Sequence, residues 1–132
     1  MTKQISLFLE NKTGRISEVA KTLGAQGINM KAFSMTETPD FGIMRIVVAE
    51  TERAAMVLSE ANFAVSLTEV VCIECADRPG SLAEVLSILT NSGIGIKYMY
   101  AFSEGEKAKF VLKADDTARC EEVLTQAGCT VV

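Results

Sequence analysis

The chain has 132 residues, 48% of them hydrophobic and 23% charged, and a net charge of −4; that is enough apolar material for a packed core and excludes a disordered chain. The acidic balance and the lack of any Lys/Arg run argue against nucleic-acid binding. Histidine is absent, which removes the commonest general base and metal ligand, and no apolar run approaches the roughly 18 residues of a membrane helix.

In chain order, the first element is a strand. Ile5, Leu7 and Leu9 alternate with Gln4, Ser6 and Glu10, the two-residue period of a strand with one buried face. Met1-Thr2-Lys3-Gln4 leads straight into it and does not read as a secretion signal, so a cytoplasmic location is expected. Ile16, Val19, Ala20 and Leu23 then fall at i, i+3, i+4 and i+7, a helical face. Gly27 follows where a helix end needs a residue tolerant of positive φ. Residues 28–35 read as extended, 37–42 as a polar turn and 43–49 as a further strand. Ala54, Val57, Leu58 and Ala61 mark a second helix, and residues 64–67 a closing strand.

The series then begins again, offset by 66 residues. Asn11-Lys12-Thr13-Gly14-Arg15-Ile16-Ser17-Glu18-Val19 returns as Asp77-Arg78-Pro79-Gly80-Ser81-Leu82-Ala83-Glu84-Val85. Seven of the 24 positions in 11–34 are identical in 77–100, against one or two expected from roughly average residue usage. Val71, Ile73 and Cys75 repeat the first strand. Leu82, Val85, Leu86 and Leu89 repeat the first helix, and Gly93 its end. Residues 94–102 are extended, 103–107 a turn and 108–114 a strand. Cys120, Val123, Leu124 and Ala127 give a helix, and 129–132 a last strand.

Each half is therefore a βαββαβ unit. Two adjacent strands between two crossovers predict an α+β fold: two ferredoxin-like units, each a four-stranded antiparallel sheet with two helices on one face. Leu67-Thr68-Glu69 has no Gly, Pro or Ser-rich character, so two domains are expected, 1–68 and 69–132, docked rather than loosely tethered. A unit of this size alone would be marginal. Two similar surfaces can also face each other across a pseudo-two-fold axis.

Few residues offer chemistry. The four cysteines lie in the second half and are expected to be reduced thiols. Cys72 and Cys75 fit a C-x-x-C spacing, but within a strand residues three apart point to opposite faces. No second pair stands at zinc-ligand spacing, so structural thiols and no metal are expected. Glu18 and Glu84 sit early in their helices, where they favour the helix dipole; Ser81 and Glu84 fit a capping box. Lys31 and Lys97 repeat as solvated strand residues.

The first strand-to-helix loop of each unit is the candidate site. It reads Asn11-Lys12-Thr13-Gly14 in one unit and Asp77-Arg78-Pro79-Gly80 in the other. Glycine allows close backbone approach, the helix N-terminus suits a carboxylate, and Asn11 or Asp77 can accept from an ammonium group. A capped tight turn would use the same residue types. Both readings stand on chemistry alone.

The order of elements, the loop Asp77-Arg78-Pro79-Gly80-Ser81-Leu82 and the following Ser92-Gly93-Ile94 resemble the ACT domain. The resemblance covers both halves, with Asn11-Lys12-Thr13-Gly14-Arg15-Ile16 a weaker version lacking the proline. It implies a ferredoxin-like regulatory module, without cofactor, that binds small molecules, mostly amino acids, between paired domains. Such modules usually control an attached metabolic enzyme. None is attached here, so the chain is similar to stand-alone tandem ACT proteins. Homodimers, a partner enzyme, and no nucleic-acid or membrane partner are implied.

In serine-sensing members the ligand is held by an asparagine in the first loop and another early in the second strand. Asn11 and Asn29, beside Met30, match these positions. The second unit has Asp77 but Gly95, so unequal sites are expected. The resemblance thus nominates Asn11, Lys12, Thr13, Gly14, Arg15, Ile16, Asn29, Met30, Asp77, Arg78, Pro79, Gly80, Ser81 and Leu82 as ligand-binding residues of a non-catalytic regulator. The rival expectation is an interaction subunit that modulates a partner enzyme without binding ligand itself. An acylphosphatase-type enzyme would need an arginine-bearing phosphate loop with a positioned asparagine, which the chain does not present.

Overall fold

The computed structural model describes residues 1–132. The elements are β1 (Thr2–Glu10), α1 (Arg15–Ala25), β2 (Met30–Glu37), β3 (Phe41–Val48), α2 (Thr51–Glu60), β4 (Ala64–Ala76), α3 (Ser81–Asn91), β5 (Ile96–Glu104), β6 (Lys107–Ala114), α4 (Thr117–Gln126) and β7 (Thr130–Val131). The chain divides into two compact units, one of residues 3–68 and one of residues 69–132 together with Met1 and Thr2.

In the first unit the strand order is β2-β3-β1-β4. β1 and β2 both pair antiparallel with β3, which sets Ile5 against Ile46 and Leu7 against Met44. These side chains share one core with Val19 and Leu23 of α1 and Ala54 and Leu58 of α2. In the second unit the order is β7-β4-β6-β5. There Val71, Ile73, Phe110 and Leu112 share a core with Val85 and Leu89 of α3 and Cys120 and Leu124 of α4. Each unit is thus the expected ferredoxin-like α+β arrangement, with its helices on one face of its sheet.

Several boundaries differ from the sequence reading, each for a backbone reason. β2 starts at Met30, not at 28, because the Ile28 N–H donates to the Leu23 carbonyl at 3.0 Å and closes α1. Gly27 (φ 69°) allows that closure. Ile94 does the same on Leu89, also at 3.0 Å, so β5 starts at Ile96. β7 is shorter than expected because the Cys129 N–H closes α4 on the Leu124 carbonyl. No linker interrupts residues 64–76. β4 runs through Leu67, Thr68 and Glu69 as one 13-residue strand, as its β-branched content and lack of Gly or Pro favour.

The repeated lysines also acquire a place. The β2–β3 register shifts between Met30 and Ala32, and the β5–β6 register between Ile96 and Tyr98. Lys31 and Lys97 are the extra residues at these two bulges, and both are exposed.

Candidate functional site

β1 ends at Glu10 and the chain turns at once: the Lys12 N–H donates to the Glu10 carbonyl at 2.8 Å. Gly14 precedes α1 at φ 91°, a left-handed conformation that other residues adopt at a cost, and no side chain caps the helix there. The Arg15 N–H reaches back to the Lys12 carbonyl at 3.4 Å and the Glu18 N–H to that of Gly14 at 2.9 Å, which leaves the N–H groups of Ile16 and Ser17 without intrahelical acceptors. The far end of β2 comes to the same place, because Leu9 of β1 and Glu37 of β2 both pair with Gly42. The result is a cleft of about 370 Å³ lined by Leu9, Glu10, Asn11, Lys12, Arg15, Ile16, Met35 and Glu37.

Its polar groups are unevenly engaged. Asn11 Nδ2 donates to the carbonyls of Thr38 (3.1 Å) and Pro39 (3.5 Å), which ties the loop to the β2–β3 turn. The Asn11 side-chain oxygen remains an acceptor. Lys12 Nζ lies 2.8 Å from Glu10, and this hydrogen bond, with the lysine charge, holds the Glu10 carboxyl below its usual range. Arg15 pairs with Glu18 and stacks on Phe63, 4.8 Å from the ring centre; its Nε is buried without an acceptor. Glu37 is an exposed carboxylate with no cationic partner.

The second unit carries an equivalent cleft of about 260 Å³. At an offset of 66 residues, Asn11, Lys12, Arg15, Ile16, Met35 and Glu37 become Asp77, Arg78, Ser81, Leu82, Ala101 and Ser103, all of them lining residues. The scaffold is repeated while the chemistry changes. Gly80 repeats the left-handed entry at φ 90°. Arg78 is tied to Glu84 at 3.0 Å, so in each unit the repeated glutamate serves as an arginine counter-ion. The expected capping box does not form. Gly80, not Ser81, precedes α3, and Ser81 Oγ donates backward to the Ala76 carbonyl at 2.7 Å.

The nominated residues separate by position. Asn11, Lys12, Arg15 and Ile16 meet in the first cleft, with Thr13 and Gly14 in its loop. Asp77, Arg78, Gly80, Ser81 and Leu82 line the second, with Pro79 exposed on its loop. Asn29 and Met30 do not join them. Met30 pairs with Val48 while Glu37 pairs with Gly42, so these two residues stand at the opposite end of β2 from the first cleft. Asn29 is exposed and Met30 packs against the core. The second-unit counterpart of Asn29 is Gly95, where a Cβ would lie 3.0 Å from Asp115 Oδ2, so a side chain there requires Asp115 to shift.

Sequence reasoning missed Leu9, Glu10, Met35 and Glu37. The available signal was strand alternation combined with register, since whichever end of β2 adjoins the end of β1 must border the loop. No group of three or more Cys, Asp or Glu side chains is placed to hold a metal. No helix is long and apolar enough to cross a membrane.

The family profile described as an ACT domain pair matches residues 1–132. Comparison with functionally curated proteins gives no match. Among solved structures, protein BT0572 from Bacteroides thetaiotaomicron is similar, with 40% identity, 99% of this chain and 91% of that chain covered, and a TM-score of 0.93. The ligand-free regulatory subunit of aspartate kinase from Thermus thermophilus shares the fold at 16% identity, covering 95% and 91%, with a TM-score of 0.66. The corresponding subunit from Thermus flavus matches at 16% identity over the same shares, with a TM-score of 0.62.

Proposed function

Because this chain belongs to the ACT domain pair family, we propose that it is a non-catalytic regulator that binds an amino acid in the cleft beside Asn11. The observation carrying this reading is the chemistry of that cleft. The Asn11 side-chain oxygen and the Glu37 carboxylate suit an ammonium group. Lys12 and the N-terminus of α1 suit a carboxylate. Leu9, Ile16 and Met35 offer apolar contact to a side chain. No nucleophile–base pair accompanies these groups, and binding would act by favouring whichever conformation it fits better.

Calorimetric titration of the standard amino acids tests the proposal. One of them should bind, and Asn11→Ala and Glu37→Gln should each weaken it. No heat from any amino acid, with no difference between wild type and variants, would overturn it.

A second reading has its own support. Phe33 is 59% exposed and Met35 40%, on the edge strand β2 beside the half-exposed Ile16. Such a strip suits a protein partner, and two structurally similar proteins are named as regulatory subunits of aspartate kinase. A metabolic enzyme recovered stoichiometrically with the chain in the absence of ligand would favour a subunit role; a homodimer is the simpler occupant of the same strip.

A further inference from the structure

In the second unit β7 pairs antiparallel with β4, setting Ile73 against Val131 and Glu74 against Thr130. One step further in the same register sets Cys75 against Cys129. The Val132 N–H donates to the Cys72 carbonyl at 2.8 Å, which makes that pair hydrogen-bonded. Alternation then makes Cys75 and Cys129 a non-hydrogen-bonded pair. The Cys129 N–H agrees, being engaged by the Leu124 carbonyl at 3.0 Å. Such neighbours have Cα atoms about 4.5 Å apart, within the roughly 4.4–6.8 Å that a disulfide spans. Both cysteines are free and partly exposed. Both border a cleft of about 290 Å³ that also touches Arg78, Ser81 and Glu84.

The first unit shows what ordinary packing places here. Sixty-six residues earlier stand Leu9 and Phe63, 1% and 7% exposed and both in the core. The second unit replaces both large apolar groups with small thiols and leaves them accessible. A free cysteine is usually a small buried filler, as Cys120 is. Both cysteines still pack against the second core, yet each is partly exposed where Leu9 and Phe63 are buried.

We propose that Cys75 and Cys129 are a redox-active dithiol that closes reversibly to a cross-strand disulfide by exchange with a small-molecule disulfide such as oxidised glutathione. One cysteine loses its proton, and its thiolate attacks a sulfur of the oxidant. The oxidant's S–S bond breaks, one glutathione thiolate leaves, and a mixed disulfide remains. The second cysteine, deprotonated in turn, attacks the protein-side sulfur and expels the second glutathione. Two protein thiols are oxidised, one small disulfide is reduced to two thiols, and the two protons end on the departing thiolates.

Closure fastens the two-residue strand β7 to β4, directly before the loop bearing Asp77 and Arg78. Burial pushes both thiols above the usual range. For Cys75 the neighbouring Cys129, Glu84 and Glu74 add to this, and Arg78 opposes it. Exchange should therefore quicken as pH rises, because the thiolate is the nucleophile.

The test is to treat the reduced full chain with oxidised glutathione, count thiols with a maleimide, and map the digest by mass spectrometry. Of the four free cysteines, the two in the pair should become unreactive, a Cys75–Cys129 peptide should appear, and dithiothreitol should reverse both. Cys75→Ser should stop at a glutathione adduct on Cys129. A stable adduct on the folded wild-type protein, a different or interchain pairing, or four thiols retained would overturn the proposal. The mapping is read on the wild-type chain, so a variant that fails to fold does not obscure it.

Discussion

Glu10 and Lys12 define the charge at the mouth of the first cleft. The Lys12 hydrogen bond lowers the folded-state pKa of Glu10, so the pair favours folding above the unfolded carboxyl value and loses that contribution as pH falls through the lowered one. Both groups are exposed, which keeps the stability effect small; a side-chain carboxyl NMR titration reads it directly. The Glu10 midpoint should rise toward the ordinary glutamate value in Lys12→Ala, and an unmoved midpoint would refute the assignment. Met35 offers a packing test. A Cβ on buried Gly42 would stand 2.1 Å from the Met35 methyl, the free end of a flexible, part-exposed side chain. Gly42→Ala should then fall at or below the low end of the about 1–3 kcal/mol cost of overpacking, while displacing Met35 and weakening the proposed amino-acid binding. The second unit has Ala101 and Ala108 at these positions. Met35→Ala with Gly42→Ala should accordingly cost less than the two single changes summed, checked by a denaturant double-mutant cycle. At this scale the Asn11 loop was legible because turn residues and a helix start are local signals. Met35 and Glu37 were not, because their place depends on strand register.

Helix capping separates elements that the repeat would make equivalent. Asp116 accepts from the Arg119 N–H at 3.0 Å and caps α4. Its counterpart before α2 is Glu50, which makes no such bond and instead lies 3.6 Å from Arg53. Asp116→Ala should cost about 1 kcal/mol as a lost cap, whereas Glu50→Ala should stay within about 0.5 kcal/mol as a surface change. Chemical denaturation of the two variants distinguishes them, and equal costs would contradict the capping difference. The same contrast explains what sequence could and could not resolve. Periodicity located all four helices, because Val19/Leu23, Ala54/Leu58, Val85/Leu89 and Cys120/Leu124 each mark a buried stripe. Strand starts were misplaced by two residues at Ile28 and Ile94, since both side chains are apolar and buried like strand residues while their N–H groups close the preceding helix. At Thr68 the local signal was there but was read as a short linker: no Gly or Pro interrupts Leu67-Thr68-Glu69, and β4 runs on as a single strand.

Across the whole molecule, the 66-residue repeat preserves backbone devices and varies side chains. The left-handed glycine before each first helix, the closures at Ile28 and Ile94, and the bulges at Lys31 and Lys97 all recur. The clefts built on them do not match. The first presents Asn11, Lys12 and an unpaired Glu37. The second presents Asp77, Arg78 and Ser103 at those positions, and in both an arginine is held by the repeated glutamate. Both have a helix N-terminus for a carboxylate, but only the first adds a second acceptor for an ammonium group, Glu37 beside Asn11, and it is the larger, about 370 against 260 Å³. Under the proposed amino-acid binding, one class of strong site per chain is therefore expected, and thermal unfolding with the amino acid that titrates measures it. At a hundredfold excess over Kd, ligand at a single site adds about 2.7 kcal/mol to folding. Asn11→Ala or Glu37→Gln should remove most of that stabilisation, while Asp77→Ala and Arg78→Ala should leave most of it in place. Equal losses from the two sets would mean that the clefts act as equivalents despite their different side chains, and the division of labour inferred from the repeat would fail.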